Sequence, residues 1–190
     1  MFPELSMIVA PDAAYAALAA RPSDIGPARA LRRPFLIAII IGVAMALSPT
    51  RHVTPALVFA TTTLWSVVVI AQVAIALAVI GRPPDGAVGR ARALDLFFAS
   101  HVPWSLWWLF AMAWGAVALD RTVAPVWAAA LVPVALTPRM IAAYFRRVLG
   151  FNRRRAVARM IVHQLVTWAA FAAFWGWAVQ VWPRVLQTIG

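Results

Sequence analysis

Two histidines, His101 and His163, stand inside long apolar runs of this chain. Imidazole changes protonation near neutral pH and is a common metal and haem ligand. A polar group at membrane depth is costly and calls for an explanation. Counted along the helices that these runs imply, His101 lies six residues beyond Asp95, roughly 9 Å at helical rise. His163 lies four residues beyond Arg159, roughly 6 Å in. Gln72 and Arg139 fall in the same half of their own runs, with Gln164 and Thr167 near the level of His163. One reading is a shared polar site: two imidazoles for a metal, a haem or chlorin, or a proton path. A lone His101 could ligate such a macrocycle axially, and the nearby tryptophans suit a flat ring. The other reading is that each group makes an interhelical hydrogen bond, with Arg139 snorkelling to headgroups. The second is preferred, because two histidines without nearby Glu, Asp or Cys make a poor metal site. The expectation is therefore no cofactor and no metal, with chlorin or haem at His101 and His163 as the alternative.

Nothing else in the chain has the spacing of a catalytic centre. There is no His-Glu-x-x-His, Gly-x-Ser-x-Gly, Walker loop or Gly-x-Gly-x-x-Gly. Of the six acids only Asp95 is near membrane depth, which leaves no carboxylate pair for acid–base work. No cysteine is present, so disulfides, thiolate metal sites and cysteine nucleophiles are excluded. Catalysis is not expected. A small transporter is a weaker alternative: Pro133 and Pro138 permit a broken helix, but no inverted repeat is visible.

The elements that position these residues are oriented by one loop. Arg146, Arg147, Arg153, Arg154, Arg155 and Arg159 crowd a short stretch between two apolar runs. Such a loop resists translocation and belongs in the cytoplasm, against anionic headgroups. The chain is 64% hydrophobic and 12% charged, against about 45–50% and 25% in soluble domains. Its net charge of +11 comes entirely from arginine clustered where apolar runs end. That pattern signals membrane topology rather than nucleic-acid binding.

Five spans follow, at residues 31–48, 55–80, 93–119, 122–145 and 156–181, forming an all-α integral membrane bundle. Residues 31–190 make up this transmembrane domain, and residues 1–30 form a cytoplasmic N-terminal segment. A helix starting at Pro11 or Asp12 and stopping near Arg21 should lie at the membrane surface, with Tyr15 and Leu18 on one face. Arg32-Arg33 before the isoleucine run is read as the start of the first span rather than an export signal. Turns are expected at residues 49–55, at 81–86 and at Asp120-Arg121, with the fourth span bent or interrupted at Pro133 and Pro138. Trp175, Trp177 and Trp182 should form an outer aromatic belt. The N-terminus is expected inside and the C-terminus outside. Asp95 and Arg139, on adjacent antiparallel spans, are expected to form an ion pair at the inner face.

The order of parts resembles the Yip-domain family (Ypt-interacting proteins and their bacterial relatives). The likeness is carried by Val9-Ala10-Pro11-Asp12-Ala13-Ala14-Tyr15, by Ala99-Ser100-His101-Val102-Pro103-Trp104, and by the stretch Arg153 to Arg159 leading into the last span. In eukaryotes the resemblance implies trafficking factors that contact Rab-type GTPases. For a bacterial relative it implies an integral membrane protein, and the arginine-rich, lysine-free composition points to a bacterial inner membrane. Together these readings lead to the expectation of a non-catalytic scaffold or accessory subunit, associated with other membrane protein subunits. The alternative is a chlorin- or haem-binding subunit of a photosynthetic or respiratory complex.

Overall fold

The computed structural model describes residues 3–21, 25–47, 53–83, 88–117 and 122–189. Eight helices fill these residues: α1 Pro3–Val9, α2 Pro11–Ala20, α3 Pro27–Leu47, α4 Pro55–Ile80, α5 Arg90–Ala99, α6 Val102–Val117, α7 Ala124–Arg147 and α8 Arg153–Ile189. Among the described residues there is no strand. In lipid, backbone groups must be satisfied within each segment, which favours helices throughout. Four helices, α3, α4, α7 and α8, are long and apolar enough to cross a membrane, and a fifth crossing results if α5 and α6 count as one bent span. The expected turns at residues 49–52, 84–86 and 120–121 lie outside the described residues.

Proline and glycine set several boundaries. Pro27 starts α3 four residues before the expected 31, so Arg29, Arg32 and Arg33 are helical. Thr54 caps α4 by accepting from the Leu57 N–H at 3.2 Å. Gly81 ends α4 with φ +64°, a left-handed conformation that glycine adopts without strain. The third expected span breaks. Pro103 has no N–H to give the Ala99 carbonyl. Instead the Ser100 and His101 N–H groups tighten to the Phe97 and Phe98 carbonyls at 3.0 and 3.1 Å, and α6 departs from α5 at 45°. By contrast α7 runs through both Pro133 and Pro138 as one helix, so the expected interruption does not occur. The last helix is longer than expected at both ends.

Packing is concentrated at one end of the bundle. There Phe97 of α5, Tyr144 and Phe145 of α7 and Tyr15 of α2 are fully enclosed, and Tyr144 donates to the Ala93 carbonyl at 2.9 Å. Phe151 closes the α7–α8 turn by stacking on Phe145 at 5.9 Å, while its N–H donates to the Phe145 carbonyl at 3.0 Å. Elsewhere α3 and α4 meet closely at Gly42, where an added Cβ would stand 2.6 Å from Thr62 Cα. Small residues permit this kind of approach in membrane helices. Thr61 and Ser66 return their hydroxyls to their own helix, to the Leu57 and Thr62 carbonyls.

The N-terminal region makes two contacts that were not expected. Helix α2 has the expected extent, and its Tyr15 face is buried against the chain's own core. Arg146 and Arg147, expected to face headgroups, converge on Asp12. Arg146 grips both carboxylate oxygens, at 3.3 and 2.7 Å, and Arg147 reaches one at 2.9 Å. Burial alone would raise the Asp12 pKa, but hydrogen bonds from the two guanidiniums and their charge outweigh it and hold the carboxyl below its usual range. Arg153 and Arg154 are exposed. Arg155 sits 4.0 Å over the Phe151 ring, and Arg159 donates to the Val79 carbonyl at 3.1 Å.

Candidate functional site

The break between α5 and α6 places His101 where it meets His163 of α8, with ring centres 5.3 Å apart in an edge-to-face contact. Sequence reasoning had both residues at one level; the structure brings them into contact. The elbow also fixes the His101 ring. Ser100 donates its hydroxyl to the Phe97 carbonyl at 2.6 Å. Nδ1 of His101 lies 3.1 Å from that hydroxyl oxygen and 3.4 Å from the same carbonyl. Both neighbours are then acceptors for Nδ1–H, which assigns the ring proton to Nδ1 and leaves a lone pair on Nε2. Nε2 of His101 has no partner. His163 is 1% exposed; its Nε2 lies 3.3 Å from Thr167 Oγ1, and its Nδ1 is unpartnered. Phe97 touches both imidazoles, His163 edge-on and His101 at a tilt, tying the pair to the packed end.

On the other side of the histidines the helices spread around a cleft of about 1350 Å³, which both histidines line. Its walls are aromatic. Trp65 meets Trp108 at 4.9 Å, Trp104 meets Trp168 at 5.4 Å, and Trp108 stacks with Trp175 at 6.5 Å. These pairs bridge α4, α6 and α8, so side chains rather than close helix packing define the cavity. Trp107 fixes one wall by donating its indole N–H to the Val126 carbonyl at 2.8 Å. Gln72 Oε1 and Thr137 Oγ1 also line the cleft, buried and unpartnered. Buried polar atoms in native structures nearly always have partners. Four of the six orphaned side-chain atoms among the described residues belong to residues around this one cavity: Gln72, His101, Thr137 and His163. Gln72 and Thr137 completed a site that the histidines alone suggested. Gln72 is marked in the sequence by its depth; the signal for Thr137 is weaker, a hydroxyl between two prolines, where the helix loses backbone donors.

Other expected site residues stand apart. Asp95 pairs with Arg92, not Arg139, at 2.9 Å. Arg92 is one helical turn away, at i,i+3, whereas Arg139 had to close an axial offset estimated at roughly 10 Å. Arg139 is exposed. Trp175, expected in an outer belt, faces the cleft instead. Among the described residues no group of three or more His, Cys, Asp or Glu could hold a metal ion. The imidazoles touch, which leaves no slot between them for a macrocycle. A single axial bond from His101 Nε2 is the form of ligation this geometry accommodates.

No protein-family model, curated protein or solved structure matches the chain.

Proposed function

We propose that this is a ligand-binding protein of the bacterial inner membrane, with five spans, the N-terminus in the cytoplasm and the C-terminus outside. In this reading α5 and α6 form one bent span, and the packed end faces the cytoplasm. The ligand is large and mainly apolar, with a polar or metal-centred group that meets the histidine pair. The observation that carries the reading is the convergence of four orphaned polar residues on one tryptophan-walled cavity. A polar site without partners inside a membrane protein is stabilised by whatever fills it. Chlorin or haem bound through His101 Nε2 is one occupant of this type. Among the described residues no group is arranged for covalent chemistry, and in this reading the protein acts by holding its ligand.

Gentle extraction followed by mass spectrometry and a visible absorbance spectrum tests the proposal. One apolar compound should co-purify in near-stoichiometric amount and be lost in a His101→Ala, His163→Ala double variant. Equal retention of the same molecules by wild type and double variant would overturn it. A reporter inserted at Gly86 should read cytoplasmic and one fused after Gly190 external.

Association with other membrane subunits is the second reading. It is favoured by α8, whose most apolar stretch is only 6% buried. The likeness to Yip-domain proteins, resting on three short motifs, belongs with it. Co-purification in the same detergent tests it: a stoichiometric protein partner supports association, and a monomer with a bound small molecule supports the ligand reading alone.

A further inference from the structure

The cleft holds one formal charge. Among the described residues that line it, Arg33 is the only arginine, and no aspartate or glutamate is present. Arg33 is half-buried, whereas its neighbour Arg32 is exposed and, with Arg29, borders a separate shallow hollow. No hydrogen bond or ion pair engages Arg33 among the described residues. The two described acids with partners are taken: Asp12 by Arg146 and Arg147, Asp95 by Arg92. Arg33 and both histidines line the same cavity. An uncompensated guanidinium bordering an apolar cavity is costly, and an anion placed against it would offset that cost.

The cavity also has a direction. Along α8 its wall runs from His163 to Trp175, twelve residues, or about 18 Å. That is more than half of the roughly 30 Å hydrocarbon core of a bilayer. Besides the histidines, Gln72 and Thr137, the cavity lining is mainly tryptophan and aliphatic side chains, with single hydroxyls such as Ser105 between them.

We propose that the occupant is a single anionic amphiphile: a carboxylate or phosphate head against Arg33, with the Gln72 and His101 side chains beside it, and an apolar body lying along the α6 and α8 tryptophans. This rests on the ligand-binding reading above and specifies the charge and polarity of the ligand. The head and tail are both required. The cation selects the charge, and the aromatic wall supplies most of the contact.

Quenching of tryptophan fluorescence tests it, with two probes that share one brominated chain and differ by one charge: dibromostearate, at a pH where its carboxylate is ionised, and its methyl ester. Both are titrated into the full-length protein in neutral detergent. The expected result is saturable quenching by both, with the anion bound about ten-fold more tightly, the equivalent of about 1.4 kcal/mol. Arg33→Gln should abolish that preference and leave the affinity for the ester unchanged. Arg33→Lys should keep most of it, and Arg32→Gln should keep all of it. Free acetate at the probe's concentration should not compete. Equal affinities in the wild type, a preference that survives Arg33→Gln, or competition by acetate would each overturn the anionic amphiphile. Saturable quenching with no charge preference leaves the ligand-binding reading standing, whereas no saturable quenching by either probe removes both.

Discussion

At one end of the bundle aromatic rings pack against one another and their hydroxyls are spent on backbone carbonyls; at the other, rings of equal size line an open cleft. Phe97, Tyr144 and Phe145 are enclosed, and Tyr144 donates to Ala93. Trp108 instead reaches across to Trp65, and Trp104 to Trp168, over the gaps between α4, α6 and α8. The difference teaches what each environment demands. Lipid is as apolar as a leucine, so no hydrophobic force closes the tryptophan half. The packed end closes for other reasons: tyrosine hydroxyls need acceptors, and Asp12 and Asp95 need cations. Polar contacts accompany the large apolar cluster where this bundle is tight.

Substitutions can break that contrast, and the largest effect is expected at its centre. Phe97→Ala should destabilise the protein by about 3–5 kcal/mol, because a buried ring is replaced by a cavity. It should also loosen both histidines, which the ring touches. Thermal unfolding in detergent gives the number. Next is Gly42→Val, which puts branched carbon against the Thr62 backbone and should cost about 1–3 kcal/mol through forced separation of α3 and α4. A smaller effect, about 1 kcal/mol, is expected for Tyr144→Phe, which removes the donor to Ala93 and leaves that carbonyl without its side-chain partner.

Asp12→Asn tests the polar side of the comparison. The carboxylate and both arginines are partly exposed, so screening limits the loss to about 1 kcal/mol or less. The pH dependence has a definite sign. Because the folded-state pKa is depressed, the contribution is complete above the ordinary carboxylate range, about 3.9. It disappears as the pH falls through the lower folded value. The stability gap between wild type and Asp12→Asn should therefore be flat near neutrality and close only in strong acid. A gap that closes near neutral pH would assign the effect to another group. The smallest change in stability, within about 0.5 kcal/mol, is expected for Trp168→Ala in the open half, where the ring is 45% exposed. Ligand retention should fall in the same variant. A large loss of stability there would mean that the open half is a packed core after all.

The all-helical fold and the presence of several long apolar segments were legible in the sequence, since length and composition define candidate spans directly; four single helices qualify, and a fifth span depends on counting α5 and α6 together. The N-terminal helix was legible too, because Pro11 and Asp12 mark its start. Its burial was not: a tyrosine on a short amphipathic helix reads the same whether it meets lipid or protein. The break after Ala99 had a signal in Pro103, but Pro133 and Pro138 carry the same signal without breaking α7. At the elbow the Ser100 hydroxyl also donates to the Phe97 carbonyl, but the same kind of contact from Thr61 and Ser66 leaves α4 unbroken, so sequence alone does not separate these prolines. Helical rise placed the two histidines at one level, yet their contact depends on that elbow and could not be counted. Asp95 was assigned a partner across helices when Arg92, one turn away on its own helix, was nearer.

The grip of Arg146 on Asp12 joins residues 134 positions apart. Synthesis at about 5–20 residues per second separates the appearance of the two by on the order of ten seconds. During that interval α2 has left the ribosome while its anchor has yet to be made. Tyr15 and the Asp12 carboxylate must wait without their native cover until the α7 arginines arrive. Helix α2, made early, is thus among the last to dock, and the clamp records in the finished protein that the final hairpin has been completed.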